Sequence, residues 1–461
     1  MGKIPHIVAV ALPSQGHVMP LMEFLHKLVG RGIQVTFVTI ESVHQKLVST
    51  LADHNVEKKD NRIHLVSIPQ NDSHVAEDII EYYANTMPAL VENVIKEINE
   101  SDGGTKIDCL VADAHVGTVL EVGVKLGIRT VAFWPVALGV LAFMLHFQKL
   151  IDAGDVDENA SSFLGYPTKE EIIRLPASMP AMTSIDLLWS FVSDMSMRKV
   201  QFAFMRHIDR GIKAARWTLG NSFYELEPAS HDFIPNIMSV SPLITSDGQP
   251  VGQLMSEDST CLTWLDQQPV QSVVYIAFGS IVVLNQSQFT EVVHGIELID
   301  QPFIWVVRPG QCLTDNLNSS LLNSFKDRTA HRGKVVDWAP QKKVLAHPSI
   351  ACFLTHCGWN STIEGISMGT PLLCWPYFAD QFHNENHICD VLKVGLRFNE
   401  DETGIITRSE IKAKVQELLD NEGIRSRVSD LRDMAERSVS ERGLSSRNIQ
   451  AFINLIKAES S

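Results

Sequence analysis

Short apolar runs alternate with segments of helical periodicity along nearly the whole chain. The first half reads HIVAVAL, VMPLMEFLHKLVGRG, IQVTFVTI, SVHQKLVSTLADH and RIHLVSIP, followed by IDCLVAD, VGTVLEVGVKLG and RTVAFWP. A second series runs through SVVYIAFGS, PFIWVVR, KVVDWAP, IACFLTH, PLLCWP and VGLRF. Buried strands that alternate with helices form parallel sheets, because a parallel pair needs a long crossover connection. The pattern predicts an α/β fold with two Rossmann-like domains and with ligands at the carboxyl ends of the strands.

Length and two stretches rich in turn residues suggest the domain boundaries. A chain of 461 residues exceeds the roughly 250–300 residues at which a single core stops growing. We predict an N-terminal domain over 1–245, a linker over 246–262 and a C-terminal domain over 263–461, capped by its own charged helical tail. A loop-rich segment over 154–195 interrupts the first series and is a candidate substrate-facing surface.

Bulk composition argues against several kinds of partner. The formal net charge of −15 disfavours a nucleic acid, because such binding depends on clustered Lys and Arg. The most apolar run, 129–146, is shorter than the ~20 residues of a spanning helix and contains Pro135, so we expect no membrane insertion. Seven cysteines without a short repeated spacing are typical of buried thiols in a reducing compartment. We therefore expect a cytoplasmic protein, acting as a monomer.

Many hydrogen-bonding groups follow the apolar run IACFL in the stretch THCGWNSTIEG. If Gly358 turns the chain into a helix, Asn360 and Ser361 lie in its first turn, where unpaired N–H groups and the helix dipole favour a diphosphate. His356 adds a donor, and Glu364 one turn later can accept from ribose hydroxyls. The alternative is that the Asn-Ser pair only caps the helix and that the tryptophan is a core residue.

Two polar residues in the first half have the chemistry of a general base and its partner. His17 follows the first strand, and imidazole has an ordinary pKa near ~6.5 that suits proton removal at neutral pH. Asp113 ends the strand IDCLVAD and could orient His17. Two alternatives are a solvated loop histidine and an aspartate that only caps the next helix, and His115 is a rival partner for either residue.

The segment from Trp338 to Gln381 resembles the signature box of plant UDP-dependent glycosyltransferases of secondary metabolism. Further similarity lies in PSQGH, FWP, NSFYELEP, WLDQQP and YIAFGS, so the resemblance covers most of the chain. It implies the GT-B fold, in which two Rossmann-like domains face each other across a cleft. The N-terminal domain would bind the acceptor, and the C-terminal domain would bind the UDP-sugar.

The resemblance also implies a role for each residue of the donor site. Trp338 would stack on uracil, and the backbone of Ala339 would contact the edge of the base. Gln341 and Glu364 would bind the ribose. The remaining contacts are His356, Asn360, Ser361 and Ser280 for the diphosphate, and Trp359, Asp380 and Gln381 for the sugar.

Sugar identity and reaction course follow from the same resemblance. A glutamine at the last position of the box is associated with glucose and a histidine with galactose, so Gln381 favours UDP-glucose as co-substrate. Many relatives carry a threonine that contacts the donor sugar where this chain has Pro135. With His17 as base and Asp113 as its partner, attack on the anomeric carbon would invert its configuration and give a β-glucoside.

We expect no cofactor and no metal. Asp155-Val156-Asp157 resembles the DxD motif of metal-dependent glycosyltransferases but lies in a polar loop. Cys352, His356 and Cys357 lack the paired spacings of a zinc site.

The acceptor is expected to be a small lipophilic molecule, with flavonoids or other phenolics first. Terpenoids, hormones and carbon-linked glycosylation are alternatives, as is a sugar-nucleotide-binding protein without catalysis. A dehydrogenase is disfavoured because the first turn reads PSQGH and lacks G-x-G-x-x-G. The aromatic candidates for the acceptor pocket are Phe133, Phe143, Trp189, Phe191, Phe202 and Phe378.

Overall fold

The computed structural model describes residues 4–53, 63–101, 105–153, 172–173, 182–183, 195–243, 252–308 and 316–458. These residues form two compact units. Unit 1 comprises Met1–Leu254 together with Arg437–Ser461, and unit 2 comprises Met255–Glu436. The division after Leu254 falls inside the stretch that the sequence suggests as a linker.

Unit 1 contains a parallel sheet of seven strands in the order β3-β2-β1-β4-β5-β8-β9, and β6 and β7 form a separate antiparallel pair. The strands are β1 (His6–Val10), β2 (Gln34–Ile40), β3 (Ile63–Ile68), β4 (Cys109–Asp113), β5 (Arg129–Trp134), β6 (Ile172–Ile173), β7 (Met182–Thr183), β8 (Trp217–Gly220) and β9 (Ile237–Ser239). The helices are α1 (Gln15–Val29), α2 (Glu41–Asp53), α3 (Ala76–Glu81), α4 (Met87–Glu100), α5 (Thr118–Lys125), α6 (Leu138–Ala153), α7 (Met195–Ala214) and α8 (Pro228–Phe233).

Unit 2 contains a parallel sheet of six strands in the order β12-β11-β10-β13-β14-β15. The strands are β10 (Val273–Ala277), β11 (Phe303–Val306), β12 (Gly333–Val336), β13 (Ile350–Thr355), β14 (Leu372–Cys374) and β15 (Gly395–Arg397). The helices are α9 (Thr260–Leu265), α10 (Gln286–Leu298), α11 (Asn316–Thr329), α12 (Gln341–Leu345), α13 (Trp359–Ser367), α14 (Gln381–Asn386), α15 (Arg408–Leu419) and α16 (Glu422–Val439), which continues into unit 1.

The predicted alternation of strands and helices is confirmed, and the two sheets share one topology. In each sheet the strand order reverses beside the first strand of the unit, so β1 has β2 on one side and β4 on the other, and β10 lies between β11 and β13. This reversal opens a crevice at the carboxyl ends of the two central strands. A π-helical turn over Tyr82–Thr86 separates α3 from α4.

The C-terminal helix α17 (Leu444–Ala458) corrects the prediction that the tail caps the second domain. Its apolar face is buried in the core of unit 1, where Phe452 lies 5.7 Å from Phe24 between ring centroids. Arg129 donates to the carbonyls of Leu455 and Ile456, and Ser445 donates to the carbonyl of Ser241. Helical periodicity shows which face of a helix is apolar but not which sheet that face covers.

The described residues bear on two further expectations. None of the described helices has the length and apolar character needed to cross a membrane. Among the described cysteines, Cys109, Cys261, Cys352, Cys357 and Cys374 are buried free thiols, and Cys389 is a half-buried one.

Replacing Phe452 with alanine tests the assignment of α17. Because the phenyl ring is fully buried in the core of unit 1, we expect Phe452→Ala to lower the free energy of unfolding by about 3–5 kcal/mol. Hydrogen exchange should increase in the strands of unit 1. Asn454→Ala, on the exposed side of the same helix, is the control and should change the free energy by less than about 0.5 kcal/mol. Faster exchange confined to unit 2 would contradict the assignment.

Candidate functional site

The turn between β13 and α13 has the geometry of an anion site. Cys357 adopts a left-handed conformation with φ 62°, and Gly358 is the N-cap of α13. Glycine has no side chain with which to cap the helix, and Asn360 and Ser361 lie inside its first turn. The capping alternative for the Asn-Ser pair is therefore wrong. The positive end of the α13 dipole therefore lies at this turn, where it favours negative charge.

His356 lies between two glycines at this turn. A Cβ atom on Gly358 would come within 2.5 Å of the His356 Nε2 atom, and a Cβ on Gly279 would collide with the same atom. Desolvation lowers the pKa of His356 to about 4, and the carbonyl of Ala277 only partly offsets this effect. At neutral pH the imidazole is uncharged, so it has a single N–H, which can donate either to the Ala277 carbonyl or to a phosphate oxygen.

A hydrogen-bond network joins α12 to α13. The Gln341 Nε2 atom donates to the Ser361 hydroxyl at 2.9 Å and to the Glu364 carboxylate at 2.7 Å. Tyr275 on β10 donates to the Gln341 Oε1 atom at 3.2 Å, and burial keeps the pKa of Tyr275 well above its ordinary value. Lys342 lies 4.0 Å from the second oxygen of Glu364. The network thus joins three residues that are predicted to bind the UDP-sugar: Gln341, Ser361 and Glu364. The buried carboxylate of Glu364 is the strongest hydrogen-bond acceptor among them.

Three further candidates lie in the loops that follow the strands of unit 2. Trp338 is half-buried, and its carbonyl accepts from the backbone N–H of Asp258 at 2.9 Å. Ala339 is buried beside it. Ser280 is half-buried just beyond β10. The last residues of β10 and β13 are paired, so the loop with Ser280 and the loop with His356 begin at the same edge of the sheet.

Two of the residues predicted to bind the sugar, Asp380 and Gln381, lie at the start of α14, and the third, Trp359, is buried in α13. The Gln381 Oε1 atom accepts from the backbone N–H groups of Tyr377 at 2.8 Å and Phe378 at 3.1 Å, which leaves its Nε2 group for donation. Asp380 accepts from the Asn384 amide at 2.8 Å, and the same amide donates to the carbonyl of Cys357 at 2.8 Å. Asn384 therefore ties this turn to the anion site.

In unit 1, His17 and His115 share the carboxylate of Asp113. The His17 Nδ1 atom lies 2.6 Å from one oxygen, which also accepts from the backbone N–H of Leu12 at 3.2 Å. His115 donates to the other oxygen from its backbone N–H and from its Nδ1 atom, both at 2.9 Å. The Asp113 side chain is fully buried. Asp113 thus both caps the turn after β4 and binds His17.

The charge on Asp113 fixes the tautomer of its partners. Burial by itself raises the pKa of Asp113, but His17 and His115 outweigh this effect and hold that pKa well below its usual range. An ionised carboxylate only accepts, so the Nδ1 atom of His17 carries a proton. In the neutral ring the Nε2 atom then has the lone pair that a general base needs. The His17 side chain is 16% exposed, so a substrate can reach the ring.

The same three residues are the only group of three potential metal ligands that lie close together among the described residues, with ligand atoms within 4.8 Å of one another. Both carboxylate oxygens already accept two hydrogen bonds each, and both Nδ1 atoms face the carboxylate. We therefore assign no ion to this group. The DxD-like Asp155 and Asp157 lie outside the described residues.

Three of the aromatic candidates for the acceptor pocket are buried in unit 1. Phe133 and Phe143 are 0% exposed, Phe202 is also buried, and Phe133 belongs to the core of unit 1. Because their side chains are packed in the interior, they offer little or no surface to an acceptor in this structure. Phe378 is half-buried in unit 2, and Trp189 and Phe191 lie outside the described residues.

The chain matches characterised proteins along its whole length. A profile of the family described as "UDP-glucoronosyl and UDP-glucosyl transferase" matches residues 7–435. UDP-glycosyltransferase 83A1 of Arabidopsis thaliana is 36% identical, and the alignment covers 100% of this chain and 98% of that protein. The chain belongs to the UDP-glycosyltransferase family. The resemblance found in the signature box is thereby confirmed.

Two more proteins are similar to this UDP-glycosyltransferase. Linamarin synthase 1 of Manihot esculenta is 31% identical over 98% of this chain and 96% of that protein. The structure of Phytolacca americana UGT2, complexed with UDP-2fluoro-glucose and pterostilbene, has a TM-score of 0.82 and 28% identity and covers 98% of this chain and 99% of the other. The GT-B fold of two parallel-sheet α/β domains is therefore confirmed.

Sequence reasoning missed several residues that support the site of this glycosyltransferase. Tyr275 looks like an ordinary strand residue, although its hydroxyl holds Gln341. Asn384 lies one helical turn after Asp380, and this spacing is the one signal that could have suggested their contact. Gly279 follows a strand, but its approach to His356 joins two loops that are distant in sequence.

Enlarging Gly358 tests the position of His356 in the glycosyltransferase. Its φ of −59° suits alanine, so the new Cβ acts only by pushing the imidazole away. We expect Gly358→Ala to weaken UDP binding by about tenfold or more, measured by calorimetry, because displaced donors lose a charge-assisted hydrogen bond. Gly423→Ala, at an exposed helix start, is the matched control and should bind UDP normally. Unchanged binding by the Gly358 variant would mean that the position of the His356 ring plays no part in donor recognition.

Proposed function

We propose that this UDP-glycosyltransferase transfers glucose from UDP-glucose to a hydroxyl group of a small lipophilic acceptor, with inversion to a β-glucoside. The observation that supports a hydroxyl acceptor best is the 2.6 Å hydrogen bond between His17 and Asp113. It leaves the Nε2 atom of a partly exposed imidazole as a base. A hydroxyl group is a poor nucleophile at neutral pH until a base takes its proton.

We propose that unit 2 binds the donor. Trp338 stacks on uracil beside the Ala339 backbone, and the buried Glu364, oriented by Gln341, accepts from the ribose hydroxyls. In this proposal, the negative charge of the diphosphate is offset by the positive ends of dipoles and not by lysine or arginine side chains. The groups involved are the N-terminus of α13 with Asn360 and Ser361, the neutral His356, and Ser280.

The proposed reaction is a single displacement. His17 Nε2 takes the proton of the acceptor hydroxyl while the acceptor oxygen attacks the anomeric carbon. The bond from that carbon to the diphosphate oxygen breaks, and UDP leaves with the electron pair. Asp113 stabilises the imidazolium that forms on His17, as a buried carboxylate does beside a catalytic histidine. Donors at the start of α13 stabilise the charge that develops on the leaving diphosphate.

Glucose is the proposed sugar, with Trp359, Asp380 and Gln381 as its partners. The Gln381 Oε1 atom is already used by two backbone N–H groups, so the sugar hydroxyls are left with the Nε2 donor. Pro135 has no side-chain hydroxyl, so it cannot make the sugar contact that a threonine makes at this position in many relatives. Its carbonyl accepts from the Asn221 amide at 3.0 Å.

A flavonoid or another phenolic is the proposed acceptor class. A structural neighbour that holds pterostilbene supports it. Another relative is named for linamarin, so terpenoid and hormone acceptors and carbon-linked products belong in the same assay panel. The buried free thiols support the further proposal of a location in the reducing cytoplasm, and we also propose that the enzyme acts as a monomer.

The test of this function is mass spectrometry of products from an acceptor panel offered with UDP-glucose and UDP-galactose. We expect glucosides of phenolic hydroxyl groups, and nuclear magnetic resonance should show the β configuration. UDP release without any glycoside would favour the non-catalytic alternative.

Removing the base gives a sharper prediction. We expect His17→Ala to lower kcat by about 100- to 10,000-fold, because proton transfer by a positioned base contributes that much. Calorimetry should give a Kd for UDP close to that of the wild type, since His17 belongs to unit 1. His44→Ala, on the neighbouring helix α2, is the control and should keep full activity. Equal loss of UDP binding and activity would make His17 a donor ligand instead of a base.

Gln381→Glu tests the proposed sugar contact. Glutamate keeps an oxygen for the N–H groups of Tyr377 and Phe378 but loses the Nε2 donor. We expect KM for UDP-glucose to rise about tenfold, the equivalent of one hydrogen bond, whereas the Kd for UDP itself should not change. A normal KM would mean that Gln381 serves only to hold the loop over residues 377–378.

A further inference from the structure

We propose that His115 is a positioning residue of the transfer reaction, and that its imidazole holds the Asp113 carboxylate in the orientation that His17 requires. This inference rests on the proposed function, in which His17 is the base. It extends the histidine–aspartate pair to a group of three residues, His17, Asp113 and His115, which we call the base triad.

The arrangement of the Asp113 oxygens supports this role. One oxygen bonds to His17 and the other to His115, at 2.6 and 2.9 Å respectively. A carboxylate that is fixed at only one oxygen can rotate about its χ2 angle, whose energy minima are broad. A donor on each oxygen fixes the plane of the group. The backbone N–H of His115 donates to the same oxygen as its ring, so the imidazole is a second donor that further limits where the oxygen facing His17 can lie.

His115 is itself held in place. Its ring stacks on Trp134 with centroids 5.0 Å apart and planes at 16°, and Trp134 is fully buried with its indole N–H bonded to the carbonyl of Ala137 at 2.8 Å. The edge of the His17 ring meets the His115 ring at 4.6 Å and 87°. A rigid tryptophan thus supports one imidazole, which in turn contacts the other ring and their common carboxylate.

The two imidazoles differ in what holds them, not in their access to solvent. Their side chains are 16% and 18% exposed. His115 follows the buried β4 in a short 3-10 turn and is bonded to Asp113 through its backbone as well as its ring. His17 lies in the first turn of α1 and bonds to the carboxylate through its ring. This double attachment suits His115 to positioning.

Three titratable groups act on Asp113 or respond to its charge within the described part of the chain. They are His17 on α1, His115 in the turn after β4, and Tyr83 in the π-helical turn, and burial together with Asp113 raises the pKa of Tyr83 to about 12. Tyr83 is therefore neutral throughout an ordinary assay range. If the ring donor of His115 is lost, His17 is the one titratable side chain among the described residues that still bonds to Asp113.

The experiment compares His115→Phe with His115→Asn in the full-length enzyme. Phenylalanine keeps the stacking on Trp134 but has no donor, whereas the asparagine amide can donate to the same Asp113 oxygen. We expect kcat of the Phe variant to fall about 10- to 100-fold, because a hydrogen bond to a charged group is lost. The Asn variant should recover most of that loss. The Kd for UDP and the melting temperature should stay close to wild-type values in both variants.

Proton nuclear magnetic resonance of the His17 Nδ1–H gives a second readout that does not need activity. We expect the resonance of this proton, which is hydrogen-bonded to Asp113, to shift in the Phe variant and to keep its wild-type position in the Asn variant. Two results would overturn the inference: a Phe variant with wild-type kcat and resonance, or a pair of variants that are both as inactive as His17→Ala, which would make His115 the base. A wild type that forms no glycoside would refute the proposed function instead, and the resonance would still decide the role of His115.

Discussion

Both candidate sites depend on the backbone hydrogen bonds between parallel strands. Parallel pairing brings all carboxyl ends of a sheet to one edge, so loops that are far apart in sequence begin side by side. In unit 1 the pairing of β1 with β4 places the turn that holds His17 next to Asp113. In unit 2 the pairing of β10 with β13 does the same for Ser280 and His356. Without this register the side chains would have no common location.

The polar groups of the candidate site in unit 2 are held in place by residues to which we assign no contact with a substrate. Tyr275 and Lys342 surround the Gln341–Glu364 pair, and Asn384 joins Asp380 to the turn at Cys357. Such contacts fix rotamers before a ligand arrives, so less conformational entropy is lost on binding. Gln381 is an example within the site itself. Its oxygen holds the loop over residues 377–378, and its amide nitrogen can donate to a ligand.

The candidate sites of the two units differ in how they stabilise negative charge. The candidate site in unit 1 contains a buried carboxylate, and the four donors around it keep Asp113 ionised. The candidate anion site of unit 2 would instead receive the negative charge of a ligand. Its histidine is neutral because desolvation lowers the pKa of His356. A helix N-terminus and neutral donors suit a diphosphate that must bind and leave, since they attract negative charge without forming a buried ion pair.

The sequence by itself determined the alternation of strands and helices, the start of α13 and the residue types of the proposed donor site. These features are local, because period and turn chemistry depend on neighbours along the chain. Tertiary structure alone decided that α17 packs in unit 1, that Phe133 is a core residue, and that His17 and His115 share one carboxylate. Each of these depends on contacts between segments distant in sequence, and an apolar face or a free donor does not specify its partner until the sheet is formed.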